Sequence, residues 1–189
     1  MRILAISGSL RSGSNNTALL RALRDEAPSE IEIELWNGLK AIPPYDGDED
    51  VVPGPEPVEA FRELVRDVDA VFFATPEYNS SVPGALKNAL DWGSRPIATN
   101  AFRNKPVAVI SSSAGAFGGV WAAAELRKVL AAMGARVTDA ELSVGHAAEK
   151  FEDGRLVDDD VRQGLRDALQ TLVAEVPSAA AAAAAAVAA

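Results

Sequence analysis

The sequence predicts an α/β protein: a five-stranded parallel sheet in order 2-1-3-4-5 with helices on both faces. Three observations carry this. Apolar runs alternate with helical patterns five times along the 189 residues, as right-handed crossovers between parallel strands require. Several of those runs are apolar almost throughout, as strands covered on both faces must be. The first and third runs each lead into a Gly-, Ser- or Pro-rich segment that opens a helix. In this strand order those two ends flank the crevice of a doubly wound sheet.

The elements follow in chain order. Arg2–Ser7 is a buried strand, and 14–27 a helix with Ala18, Leu19, Ala22 and Leu23 on one face. Ile31, Ile33 and Leu35 alternate with Glu32 and Glu34, which suits an edge strand with one wetter face. Residues 43–57 hold five prolines, two glycines and the acidic cluster Asp46, Asp48, Glu49 and Asp50, and read as loop. A short helix over 58–67 precedes a buried strand over 69–75. Then come a helix over 84–92, a strand over 106–112 and a helix over 118–133 stopped by Gly134. A fifth strand over 136–144 and a last helix over 156–176 complete the pattern. Residues 1–176 are read as one domain. Residues 177–189, almost all alanine, are read as a tolerated tail.

Composition narrows the chemistry. Eighteen Lys and Arg face 27 Asp and Glu, a formal net charge of −9, which argues against a nucleic-acid partner. With no cysteine, thiolate, disulfide and iron–sulfur chemistry are excluded, so any redox work needs a bound cofactor. One histidine, His146, excludes metal sites built from several imidazoles. No leader peptide or membrane-spanning run is read, and a cytoplasmic protein is expected.

Three loops are candidates for a ligand site. Gly8-Ser-Leu-Arg-Ser-Gly-Ser14 offers tight turns, the open N–H groups of a helix start, neutral donors at Ser9, Ser14, Asn16 and Thr17, and the Arg11 guanidinium. It is neither a Walker A loop nor a G-x-G-x-x-G fingerprint, and suits a single phosphate. Thr75-Pro-Glu-Tyr-Asn79 would present the N–H groups of Glu77, Tyr78 and Asn79 to the polar edge of a flat ring, with the Tyr78 side chain beside it. Ser80 or Ser81 is placed to cap the helix that follows, and the Glu77 side chain is expected to face solvent or a neighbouring subunit. The third loop, 111–119, puts Ser112, Ser113 and Gly115 at the same crevice. An ordinary capped turn explains each loop singly; three converging loops suggest a flavin mononucleotide.

These segments resemble the NADPH-dependent FMN reductase family, which includes quinone, chromate and azo-dye reductases. The likeness rests on G-S-L-R-S-G-S-N-N at 8–16 and P-E-Y-N-S-S-V-P-G-A-L-K-N-A-L-D-W at 76–92, with fainter echoes at 111–119 and 151–158. It implies a flavodoxin-like three-layer sandwich holding FMN non-covalently. Position by position, Ser9, Arg11, Ser14, Asn16 and Thr17 would hold the phosphate. Pro76, Glu77, Tyr78 and Asn79 would hold the isoalloxazine, with Ser112, Ser113 and Gly115 on its other side.

The implied activity passes hydride from NAD(P)H to FMN and on to a flavin, quinone or other small acceptor. No side chain acts as catalytic acid or base, and no metal is involved. The resemblance also implies a homodimer or homotetramer, with the helix ending at Trp92 and the loop at 45–50 as interface candidates. The alternative is a flavodoxin-type electron carrier that does not oxidise NAD(P)H.

Overall fold

The computed structural model describes residues 1–177; the alanine-rich segment that follows lies outside the described residues. Five strands, β1 (Arg2–Ser7), β2 (Glu32–Trp36), β3 (Ala70–Thr75), β4 (Pro106–Ser112) and β5 (Arg136–Val144), form a parallel sheet in the order β2-β1-β3-β4-β5. The helices are α1 (Asn15–Glu26), α2 (Glu56–Asp67), α3 (Gly84–Gly93), α4 (Val120–Ala132) and α5 (Asp159–Ala174). The expected strand order and the edge position of β2 are both present.

The period of two along each strand sorts the core into two layers. Ile3, Ala5, Phe72, Ala108 and Ile110 pack on one side with Leu19, Leu20 and Leu23 of α1 and Leu165, Leu169 and Leu172 of α5. Leu4, Ile6, Val71, Phe73, Val107 and Val109 pack on the other with α2, α3 and α4. That second layer holds the fully buried aromatics Phe61, Phe73, Trp92 and Phe102. Each contributes roughly 1.5–3 kcal/mol by leaving water. Trp92 is thus a core residue, and its indole N–H donates to the Pro43 carbonyl at 2.9 Å, fixing the acidic loop against α3.

A buried arginine, Arg62, and a half-buried one, Arg127, satisfy backbone that the sheet and loops leave open. Arg62 donates to the Trp92 carbonyl and pairs with Glu59 at 2.7 Å and Asp50 at 3.2 Å. Arg127 reaches the register shift between β4 and β5, where its guanidinium donates to the carbonyls of Val109, Thr138 and Ala140. Burial lowers the Arg127 pKa, while three carbonyls accept from its two terminal amino groups.

Helix starts shift from their expected places for identifiable reasons. Ser14 is the cap of α1 and not its first residue: its hydroxyl accepts from the Thr17 N–H at 3.3 Å. Helix α4 starts two residues late because Gly118 and Gly119 take left-handed conformations. At Gly118 (φ +63°) a Cβ would lie 2.6 Å from the Ser143 carbonyl carbon, so the loop lies directly on β5. The last helix starts at Asp159, capped by Asp158, because residues 151–156 form a small antiparallel hairpin, β6 (Phe151–Glu152) and β7 (Arg155–Leu156), turning at Asp153-Gly154. Ser80 and Ser81 do not cap α3, whose cap residue is Pro83.

Candidate active site

The strand register brings the three loops together. Ser7 of β1 lies beside Ala74 of β3, Thr75 beside Ser111 of β4, and Ser112 beside Val144 of β5. Gly8 makes the close approach possible: its N–H donates to the Ala74 carbonyl at 2.8 Å, and a Cβ there would sit 2.9 Å from Leu86. The resulting cleft, about 140 Å³, is lined by Ser9, Arg11, Ser14, Asn15, Asn16, Pro76, Glu77, Tyr78, Ser112, Ser113 and Ala114.

The first loop organises itself with its side chains and leaves its amides open. Ser9 Oγ accepts from the Arg11 N–H, Ser7 Oγ from the Ser9 N–H, and Arg11 donates to the Gly13 carbonyl at 3.1 Å. Among the described residues, the N–H groups of Leu10, Ser12, Gly13, Ser14, Asn15 and Asn16 have no partner. They sit at the positive end of α1.

Two residues assigned to the phosphate from sequence are used internally. Asn16 is buried, and its amide exchanges two hydrogen bonds with the Ser112 backbone, at 3.1 and 3.0 Å, stitching α1 to β4. Its side chain is therefore not free for a ligand, although its backbone N–H is. Thr17 lies outside the cleft lining, its hydroxyl donating to Ser7 Oγ at 2.8 Å.

The second loop differs from expectation at Tyr78 and Glu77. Tyr78 and Ser81 exchange both backbone hydrogen bonds at 3.1 Å across a turn whose tip, Asn79 and Ser80, has positive φ. The Tyr78 N–H is thus committed to the turn, while those of Glu77 and Asn79 remain open. Asn79 itself stands outside the cleft lining, at the exposed tip. The half-buried Glu77 carboxylate accepts from the Trp121 and Ala122 N–H groups at 3.0 and 3.1 Å, closing the start of α4.

A second carboxylate, Glu125, not singled out from sequence, returns the link. It accepts from Ser81 Oγ at 2.6 Å and from the Val82 N–H at 3.2 Å. The Ser81 hydroxyl, then the Val82 N–H, hold its carboxyl below its ordinary range. Loop and helix are clasped from both sides.

In the third loop, Ser112 has both backbone groups bound to Asn16, and its hydroxyl is buried without a partner at the cleft wall. An orphaned buried hydroxyl is uncommon and costs stability unless a ligand satisfies it. Ser113 lines the cleft; Gly115 does not, its N–H donating to Ser113 Oγ at 3.2 Å. The donor set is therefore open amides, one orphan hydroxyl and one guanidinium, with the lone carboxylate already bound. Those residues fit a phosphate monoester carrying a ring with acceptor atoms at its edge. Among the described residues, no cluster suits a metal ion and no helix is long and apolar enough to cross a membrane.

Residues 1–149 match the NADPH-dependent FMN reductase family. The chain is 42% identical to an NAD(P)H-dependent FMN reductase of Pseudomonas aeruginosa, over 91% of this chain and 93% of that protein. It is 40% identical to a quinone reductase of Pseudomonas putida, over 87% and 88%. Among solved structures it resembles a flavoenzyme NAD(P)H:(acceptor) oxidoreductase from Paracoccus denitrificans, with a TM-score of 0.82, 30% identity, and 92% and 98% of the two chains covered.

Proposed function

The chain belongs to the NADPH-dependent FMN reductase family, and from that premise we propose that its cleft holds FMN with the phosphate on the first loop and the ring beside the second and third. The protein is an NAD(P)H-dependent FMN oxidoreductase. The observation that carries the site assignment is the set of unpartnered amides of Leu10 and of Ser12 to Asn16 at the start of α1. Arg11 adds a cation to the cleft lining, and Ser9 and Ser14 add hydroxyls. The open N–H groups of Glu77 and Asn79, the Ser112 hydroxyl and Ser113 would hold the ring.

Bound there, FMN would supply the redox chemistry that links NAD(P)H oxidation to reduction of a small acceptor. What the chain contributes is placement: no cysteine is present, and Glu77, the carboxylate of the cleft, is held by two amides of α4. Orientation and exclusion of water, with no side-chain acid or base, suit hydride transfer.

Quinones are the proposed acceptor class, on the strength of the quinone reductases among the relatives. A homodimer or homotetramer in the cytoplasm is proposed with it, with α3 and the 45–50 loop as interface candidates. Residues 1–176 are proposed as the FMN-binding domain.

Anaerobic addition of NADPH to the purified, FMN-loaded protein tests the activity. Rapid bleaching of the flavin absorbance is expected. Persistent yellow colour would contradict it and favour an electron carrier.

A further inference from the structure

Beside the polar cleft stands a cluster of exposed apolar side chains. Phe117 is 67% accessible, Trp121 51% and Tyr78 49%. Single exposed apolar residues are ordinary, but a cluster of large rings at the edge of a polar cleft marks a binding surface. Phe117 and Trp121 stack edge to face, with centroids 5.1 Å apart and planes at 62°.

The pair is fixed to the cleft. The Trp121 N–H is held by Glu77, which lines the cleft and adjoins Tyr78. Phe117 rides on the loop whose earlier residues, Ser113 and Ala114, form the cleft wall. Gly118 presses that loop onto β5, and the Val120 N–H donates to the Phe117 carbonyl at 3.2 Å. The backbone that carries two large exposed rings is therefore fixed next to a cleft whose polar groups are proposed to hold phosphate and ring edge.

We propose that Phe117 and Trp121, with Tyr78 of the adjacent turn, form the docking platform for a neutral, planar aromatic electron acceptor of the quinone class. The proposal rests on the oxidoreductase reading for why an acceptor comes here. Ring faces bind a flat conjugated ligand by stacking. The neighbouring carboxylates of Glu77 and Glu125 disfavour anions, so the platform selects quinones over inorganic oxyanions.

Equilibrium dialysis of menadione against the oxidised, FMN-loaded protein tests this without turnover, and so independently of any hydride step. Saturable binding is expected for the wild-type protein. In the double variant Phe117→Ala, Trp121→Ala the affinity falls about tenfold, from the loss of two stacking contacts. Trp121→Phe keeps a ring and retains most of the binding. Val157→Ala, an exposed apolar residue near the hairpin, leaves it unchanged. Unchanged menadione affinity in the double variant overturns the proposal even if NADPH bleaches the flavin normally. So does a dimer that dissociates in the double variant, which assigns the rings to a subunit contact.

Discussion

Helices α1 and α4 both begin beside the cleft, yet they treat their positive ends oppositely. At α1 a neutral hydroxyl, Ser14, takes the Thr17 N–H and leaves those of Asn15 and Asn16 open. At α4 the cap residue, Gly119, has no side chain to offer, and the Glu77 carboxylate arrives from 44 positions away to take two amides. Both ends carry the partial charge of the helix dipole. One already holds an internal anion; the other is left for an external one. The proposed polarity of the ligand rests on this contrast: phosphate at α1, with α4 fastening the loop beside the ring.

This contrast can be broken most strongly at Ser14. Ser14→Asp keeps a good helix cap but brings a negative charge to the open end. FMN affinity should fall by roughly 3 kcal/mol, about a hundredfold, from charge repulsion at contact distance. Fluorescence titration reads this, while the melting temperature of the FMN-free protein should stay near wild type.

Glu77→Ala reverses the situation at α4. It removes two charge-assisted hydrogen bonds and should lower the unfolding free energy by about 1–2 kcal/mol in urea titration. Its effect on stability should exceed that of Ser14→Asp.

Ser112→Ala should give opposite signs in two assays. FMN binding weakens by about 1 kcal/mol, while the FMN-free protein is unchanged or slightly more stable, because an unpaired buried hydroxyl is gone.

The smallest effect concerns Glu125. Its carboxyl titrates below the ordinary 4.5, so the folded state favours the ionised form. The contact adds stability above that ordinary value and loses it as pH falls through the lower folded one. The melting-temperature difference between wild type and Glu125→Gln should therefore be present at neutral pH and vanish in acid. A difference that persisted in acid would assign it to packing instead.

The sheet was legible because its signals are local. Apolar runs such as 69–75 carry their own burial pattern, and Ser14, Gly134 and Pro83 mark helix ends within a few residues. The hairpin at 151–156 had a local signal too, Asp153-Gly154, but its two-residue strands are too short for periodicity to register. The cleft lining was largely legible for the same reason: each loop follows a strand.

What each side chain does there was not legible, since the partners are distant in sequence. Asn16 binds Ser112 across 96 positions, and Glu77 binds α4 across 44 and 45. A polar residue in a ligand-like motif carries no mark of whether it serves the ligand or the loop. Phe117 and Trp121 escaped notice because exposure, not residue type, distinguishes them from core aromatics.

Amide chemical shifts during titration with FMN and, separately, with riboflavin, which lacks the phosphate, test the central claim most directly. The account predicts that FMN alone shifts the amides of Leu10 to Asn16, while those of Trp121 and Ala122 respond alike to both ligands. Phosphate-dependent shifts at Trp121 and Ala122, with the α1 amides silent, would contradict it.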